Sequence, residues 1–351
     1  MKGIVFTGQR NIELRDFPDP TPGPGEVVLE IKASGMCGSD LHYYRSEEGA
    51  AAMAKALGIR GAGPEVIAGH EPCGVVVARG AGVEERFAPI GARVMVHHYD
   101  GCGICPSCRQ GWAQLCEDAF TIYGVTGDGA HAPYMKVPAN TLVTLPDGLN
   151  FAEGAAISCG TGTAYAAIKR MDLPAGATLA VFGQGPVGLS VTLLGAAMGA
   201  RVIAVDISKE RLELGKSLGA DALINAETDD PIEAIHELTF GHGADYTMEC
   251  IGLPETRIAS IRSTRVWGTT CFVGEGKDVT IDVSKDLLRR QLTLIGSWTF
   301  NTIRQGECAT FCVEHDVPVD KVFTHRYALE QADEAYELFD TQSTGKGVFV
   351  F

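Results

Sequence analysis

Thr178-Leu179-Ala180-Val181-Phe182-Gly183-Gln184-Gly185-Pro186-Val187-Gly188 is the stretch that decides the fold. Five strand-forming or small residues run into a Gly-x-Gly-x-x-Gly turn, and an apolar helical pattern over Val187 to Met198 follows it. A lone glycine motif of this kind is also what an ordinary strand-to-helix turn produces. Here the next apolar run, Arg201 to Asp206, closes on an acid at the place where a dinucleotide fingerprint needs an acceptor for a ribose hydroxyl. Gly183, Gly185 and Gly188, with Pro186 and Val187 opening the helix, let the backbone approach a pyrophosphate, which rests on the helix N-terminus. Asp206 opposes the extra phosphate of NADP and favours NAD; Lys209 and Arg211 are the basic neighbours that can offset it.

Working outward, strand, glycine turn and helix keep alternating. Glu210 to Leu218 reads as a helix, and Tyr246 to Ile251, Thr270 to Val273 and Leu292 to Ile295 as strands. That rhythm predicts an α/β fold with a doubly wound parallel sheet. Before Pro174-Ala175-Gly176 the pattern differs. Short runs at Val27 to Ile31, Cys73 to Val77 and Arg93 to Val96 lie between Gly- and Pro-rich turns, as in an all-β barrel or sandwich. The tail predicts a helix over Glu330 to Phe339 and a last strand over Gly347 to Phe351.

The 351 residues suffice for two domains, and 45% hydrophobic with 21% charged residues is the balance of a packed globular chain. A formal charge of -15 opposes binding to nucleic acid, whose affinity comes from cations neutralising phosphates. The N-terminal residues lack the apolar run of a secretory signal, and no stretch is apolar enough for a membrane helix, so the expectation is a cytoplasmic protein. In that compartment eleven cysteines read as metal ligands and buried thiols rather than disulfides.

Two clusters carry metal chemistry. Cys102, Cys105, Cys108 and Cys116 form a Cys-x2-Cys-x2-Cys-x7-Cys run broken by Gly101, Gly103 and Pro106, the turns needed to close four thiolates on one tetrahedral ion. Structural zinc fits best; an iron–sulfur cluster or four unrelated core cysteines are the competing readings. The second cluster is dispersed: Cys37 and His42 in CGSDLH, His70 and Glu71 in GHE, and Cys159. Cys, His and Cys make three N/S ligands and leave a fourth position open, the arrangement of a catalytic zinc, although each residue alone is more often packing or surface.

CGSDLH at 37 to 42, GHE at 69 to 71, the four-cysteine lobe and GQGPVG at 183 to 188 occur in the order found in the medium-chain zinc-containing alcohol dehydrogenases, which the chain resembles over essentially its whole length. The resemblance implies a β-rich GroES-like catalytic domain, residues 1–157 and 297–351, around a Rossmann dinucleotide-binding domain, residues 158–296. It implies two zinc ions per chain: a catalytic one on Cys37, His70 and Cys159 with Glu71 beside it, and a structural one in the lobe. Ser39 would pass the substrate proton toward the nicotinamide ribose, His42 would deliver it to solvent, Asp40 would support them, and Arg211 would reach the adenosine ribose of NAD. The reaction implied is reversible hydride transfer between NAD and a small primary or secondary alcohol or ketone.

Polyol and threonine dehydrogenases of the family often carry a carboxylate at the third ligand position, whereas ISCGTGTAY has Cys159, as the simple alcohol dehydrogenases do; a polyol or threonine dehydrogenase is the alternative within the family. A zinc-free enone or quinone reductase, or an inactive binding or structural protein on the same fold, are the rivals. The family also implies a homotetramer, or failing that a dimer. Finally, Ser46 to Gly63 lengthens the span between Cys37 and His70, and its alanine-rich middle, Glu47 to Leu57, reads as a helix that would cover the substrate entrance.

Overall fold

The computed structural model describes residues 1–47, 65–118 and 120–351. The proposed helix and entrance cover within 46–63 lie, but for their first residues, outside them.

Six parallel strands build one sheet: Thr178–Phe182, Arg201–Asp206, Ala222–Asn225, Ala244–Glu249, Thr264–Phe272 and Thr293–Gly296. Their spatial order, in sequence rank, is third, second, first, fourth, fifth, sixth, so the chain reverses direction beside the strand that ends at Phe182. This is the doubly wound arrangement, in which the crevice at the reversal receives a ligand. Thr178–Phe182 and Arg201–Asp206 have the expected bounds, and the glycine-turn helix runs Pro186–Ala197, with proline at a position where its missing N–H costs nothing. The fifth strand begins six residues earlier than the apolar pattern suggests. Its start is held by hydroxyls instead: buried Thr247 and Thr264 lie 2.8 Å apart, and Thr264 and Thr270 also 2.8 Å. Hydrophobicity could not reveal a strand start fixed by polar groups.

The second sheet has seven strands. Glu26–Gly35 pairs antiparallel with Pro72–Arg79, Tyr134–Pro138 and Lys346–Val350; Arg93–Val96, Leu142–Thr144 and Phe323–Tyr327 complete it. This is the expected β-rich domain, with short helices added to it. Two of the strands come from the C-terminal tail, and short helices at Asp40–Arg45 and Pro106–Arg109 interrupt the β pattern. Phe323–Tyr327 was not expected because its exposed, polar alternate positions leave little apolar signal.

One buried cluster joins the sheets. Ala33, Cys73 and Met95 pack through Ala155, Ala164 and Ile168 to Leu179 and Val181 of the parallel sheet. The helices Phe151–Ile157 and Gly160–Met171 thus share a core with both sheets. Among the described residues, no helix is long and apolar enough to cross a membrane.

Candidate active site

Strand pairing brings three distant segments to one end of the antiparallel sheet. Ser34 pairs with Pro72, and the Gly35 amide donates to the Glu71 carbonyl at 3.1 Å, so Cys37, just past the first strand, lies beside His70 and Glu71, just before the second. Gly35 also pairs with Val348, and the Met36 amide donates to the Gly347 carbonyl at 3.0 Å, which delivers Lys346 to the same place. Cys159 arrives from above, at the turn between helices Phe151–Ile157 and Gly160–Met171. The ligand atoms of Cys37, His70, Glu71 and Cys159 all lie within 4.8 Å of one another and all four residues are buried; the two sulfurs are 3.8 Å apart. The Cys159 thiol hydrogen bond lowers Cys37 well below the ordinary thiol range, the behaviour of a site that accommodates a thiolate.

Orientation is imposed from behind. His70 Nδ1 lies 3.0 Å from Asp40 Oδ1, which leaves Nε2 facing the sulfurs and 3.2 Å from Ser39 Oγ. Asp40 Oδ2 accepts from the Cys37 amide at 2.8 Å and from the Tyr336 hydroxyl at 3.2 Å. The chain continues inward: Tyr336 Oη is 2.8 Å from His131 Nε2, and His131 Nδ1 is 2.7 Å from Ser34 Oγ. Burial pushes His131 down to about 4, so it is neutral, and one wiring satisfies every atom. Ser34 donates to Nδ1, Nε2–H donates to Tyr336, and Tyr336 donates to the Asp40 carboxylate. A carboxylate that fixes a histidine's tautomer is the support a metal-ligating imidazole needs.

Glu71 is fully buried and is held by Lys346, whose Nζ lies 2.6 Å from Oε1 and 2.5 Å from Oε2 while donating to the Met36 carbonyl at 2.9 Å. Burial pushes the Glu71 carboxyl up to about 8 against the pull of the ammonium. Lys346 was not among the expected site residues. A single lysine opening an apolar strand looks like a boundary residue, and only the register with Gly35 reveals its partner. His98 was also missed. Its ring centroid is 5.0 Å from that of His70, its Nδ1 faces the Ser158 carbonyl at 3.1 Å, and burial holds it neutral. Ser39 is partly exposed and His42 exposed, a sequence of positions that leads from the cluster to solvent.

The four lobe cysteines also bring their sulfurs within 4.8 Å of one another, on a half-exposed segment. Backbone amides serve the thiols: Cys102 N lies 3.4 Å from Cys116 Sγ, Cys105 N 3.4 Å from Cys102 Sγ and Cys108 N 3.5 Å from Cys105 Sγ. Amides of Glu117 and Cys108 hold Cys105 down at about 6. Four convergent sulfurs with no oxygen or open position among them suit a tetrahedral soft-ligand ion such as zinc.

At the glycine turn, a Cβ on Gly188 would stand 1.7 Å from the Gly183 carbonyl oxygen, so the helix approaches the strand as only glycine permits. Gly185 opens the helix, Pro186 and Val187 form its first turn, and Asp206 stands at the end of the neighbouring strand. Its Oδ2 accepts from Gln184 N at 2.5 Å and its Oδ1 from Ser208 N at 2.9 Å, which fixes the carboxylate beside the turn. Arg211 donates through Nε to the Thr344 carbonyl at 2.9 Å, and its Nη1 would lie 4.0 Å from a Cβ on Gly185.

Residues 23–147 match the alcohol dehydrogenase GroES-like domain, and residues 186–313 match the zinc-binding dehydrogenase model. The chain is 39% identical over its full length to 99% of an uncharacterized zinc-type alcohol dehydrogenase-like protein of Escherichia coli, and 31% identical over 96% of its length to 93% of the sorbitol dehydrogenase of Bacillus subtilis. Among solved structures, the alcohol dehydrogenase TADH from a Thermus species superposes with a TM-score of 0.87 at 28% identity, covering 100% of this chain and 99% of that one.

Proposed function

The chain belongs to the zinc-type alcohol dehydrogenase family, and from that footing we propose that it is a zinc- and NAD-dependent dehydrogenase that interconverts a small primary or secondary alcohol and its carbonyl product. The observation that supports this most is the buried convergence of Cys37, His70 and Cys159 with His70 Nδ1 turned onto Asp40. In this reading those three hold a catalytic zinc, and Cys102, Cys105, Cys108 and Cys116 a structural one. When bound, zinc supplies Lewis acidity at the substrate oxygen and NAD accepts the hydride.

The chain's own residues do the rest. Asp40 keeps His70 Nε2 toward the site. Ser39 Oγ receives the proton released by the substrate hydroxyl, and exposed His42 returns it to water. Glu71, hydrogen-bonded to Lys346, holds a carboxyl group next to the ligand set. Asp206 accepts from the adenosine ribose and opposes a 2′-phosphate, with Arg211 flanking the glycine turn.

We also read the protein as a homo-oligomer, a tetramer rather than a dimer. Thr293–Gly296 is the last strand of its sheet, and Trp267 (70% exposed) on the neighbouring strand and Leu288 (61% exposed) on the link between the two are apolar groups that a second copy would cover.

The test is metal analysis with NADH absorbance on an alcohol panel. Two zinc ions per chain and a higher kcat/KM with NAD than with NADP are expected, and Asp206→Gly should narrow that preference by about tenfold. One zinc, or iron, or equal efficiency with both cofactors would overturn the reading.

A further inference from the structure

Behind the candidate zinc ligands, the helix Ala332–Asp340 grips the short helix Asp40–Arg45 at both ends. Tyr336 and Asp340 are four residues apart and so share one face of their helix. At one end the Tyr336 hydroxyl donates to Asp40 Oδ2 at 3.2 Å. At the other the Asp340 carboxylate accepts from Arg45 Nε and, at 2.8 Å, from Arg10 Nε, while Arg45 Nη2 donates to the Asp340 carbonyl at 3.0 Å. The Tyr336 ring is fully buried, edge-on to Phe6 with centroids 4.9 Å apart and beside Tyr44 at 5.6 Å and Phe349 at 6.3 Å. That packing would hold a phenylalanine equally well, so the hydroxyl needs a separate reason.

The reason lies in where its proton points. Tyr336 Oη has two polar neighbours, Asp40 Oδ2 and, at 2.8 Å, His131 Nε2. A phenol has one proton and a carboxylate only accepts, so the contact with Asp40 is a hydrogen bond only when that proton points at Asp40. His131 must then donate from Nε2 and leave Nδ1 to accept from Ser34 Oγ, 2.7 Å away. The other tautomer would turn the phenol proton toward His131 and set two acceptors, Tyr336 Oη and Asp40 Oδ2, face to face among buried side chains.

From this wiring we infer that Tyr336 is a positioning residue for the proposed reaction: its hydroxyl, aimed by the Nε2–H tautomer of His131, holds Asp40 in the orientation that keeps His70 Nε2 toward the metal. The inference rests on the dehydrogenase reading above and extends it to two residues outside the ligand set. Asp40 uses its two oxygens differently, Oδ1 for His70 Nδ1 at 3.0 Å and Oδ2 for the Cys37 amide at 2.8 Å and for Tyr336. The last torsion of an aspartate is soft. Without the phenol, one amide alone would hold Oδ2, and rotation of the carboxylate would carry Oδ1 away from His70.

Tyr336→Phe removes the oxygen and keeps the ring. Chelator competition on the zinc-loaded protein should show the ion on Cys37, His70 and Cys159 held about tenfold more weakly, the scale of one hydrogen bond to a charged acceptor. The lobe ion, identified in Cys159→Ser, should be held as before. With zinc and NAD saturating, kcat should fall about threefold or more while KM for NAD stays within about twofold, because the dinucleotide domain is untouched. His131→Phe should reproduce the loss, and His131→Gln, whose amide N–H can donate to Tyr336, should recover zinc affinity to within about threefold of the unmodified protein. Asp340→Ala releases the far end of the same helix and should leave that affinity within about twofold, whatever it does to the melting temperature. Nitrogen NMR of histidine-labelled, unmodified protein reads the wiring without any variant, and His131 should carry its hydrogen on Nε2. A hydrogen on Nδ1, a Tyr336→Phe protein that holds both ions as tightly as the unmodified one, or a His131→Gln protein as weak as His131→Phe overturns the inference and leaves the dehydrogenase reading standing. Equal losses in Asp340→Ala and Tyr336→Phe also overturn it, because the helix contact and not the hydroxyl would then position Asp40. Unmodified protein that binds one zinc and oxidises no alcohol overturns the inference and the dehydrogenase reading together.

Discussion

The two cysteine-bearing sites solve the same problem in opposite ways. Cys37, His70 and Cys159 are far apart in sequence, and a sheet register, a helix junction and the side chains of Asp40, Lys346 and Tyr336 bring them together. Cys102 to Cys116 lie on one short segment whose helix Pro106–Arg109 has no buried residue, and their sulfurs face one another and nearby backbone amides. In the first site the fold makes the ligand set. In the second, the ligand set has little core around it and a bound ion must make the local fold. On the proposed reading the same metal would stand in two energetic roles, one contributing chemistry and the other contributing order.

The largest expected effect breaks the first site without touching the second. Cys159→Ser should lower kcat/KM by on the order of 10³ or more, because the Lewis acid is lost. Zinc content should fall from two to one, while the melting temperature stays within a few degrees because the surrounding core survives. A variant that kept its turnover would remove Cys159 from the ligand set. Next comes the reverse break. Cys108→Ser should also leave one zinc, but protease should now cut within 101–118, and activity should fall about tenfold, because Trp112 and Leu115 of the lobe line the cleft. An uncut lobe in the one-zinc variant would show that it folds without its ion.

How much of this the sequence disclosed follows the same division. The lobe is legible outright, since its ligands are neighbours and turn residues separate them. The parallel sheet is legible because a glycine turn, an apolar helix and an acid-terminated strand repeat at the proper period. Cys37, His70 and Cys159 offered the right ligand types but were joined into one site by resemblance to a family, since no local pattern states that strand ends 34 and 72 will pair. Lys346 was not legible at all, because its place depends on a register between the chain's tail and Gly35. Thr264 and Thr270 escaped for another reason, because hydroxyls rather than apolar contacts hold the start of that strand.

A smaller effect sharpens the comparison by removing support instead of a ligand. Asp40→Asn keeps the size of the side chain but removes the charge that accepts from the Cys37 amide, Tyr336 and His70. Turnover and zinc affinity at this site should fall about 10–100-fold, the usual cost of losing a carboxylate behind a metal-binding histidine. The lobe zinc, measured by competition with a chromophoric chelator, should be unaffected. Equal weakening of both ions would mean that Asp40 acts on the whole fold and not on His70.

The smallest effect comes from placing one methyl group in the lobe. Gly103 has φ +72°, and a Cβ there would meet nothing within 4 Å, so Gly103→Ala carries only the backbone cost of a left-handed residue, about 1–2 kcal/mol. That cost must be met by the ion that orders the lobe, so its zinc affinity should weaken by about 5–30-fold, ten for each 1.4 kcal/mol. Turnover should remain within about twofold, because Cys37, His70 and Cys159 are positioned by other elements. At the catalytic end the corresponding glycine is different in kind. Gly69 has φ +90°, and its Cβ would stand 2.4 Å from His131 Nδ1 and 2.8 Å from the His131 backbone nitrogen, so the same methyl there would strike the network behind Asp40. If Gly103→Ala left the lobe's zinc affinity unchanged, the lobe would hold its turns without help from the ion, and the contrast between a site made by the fold and a fold made by its site would fail.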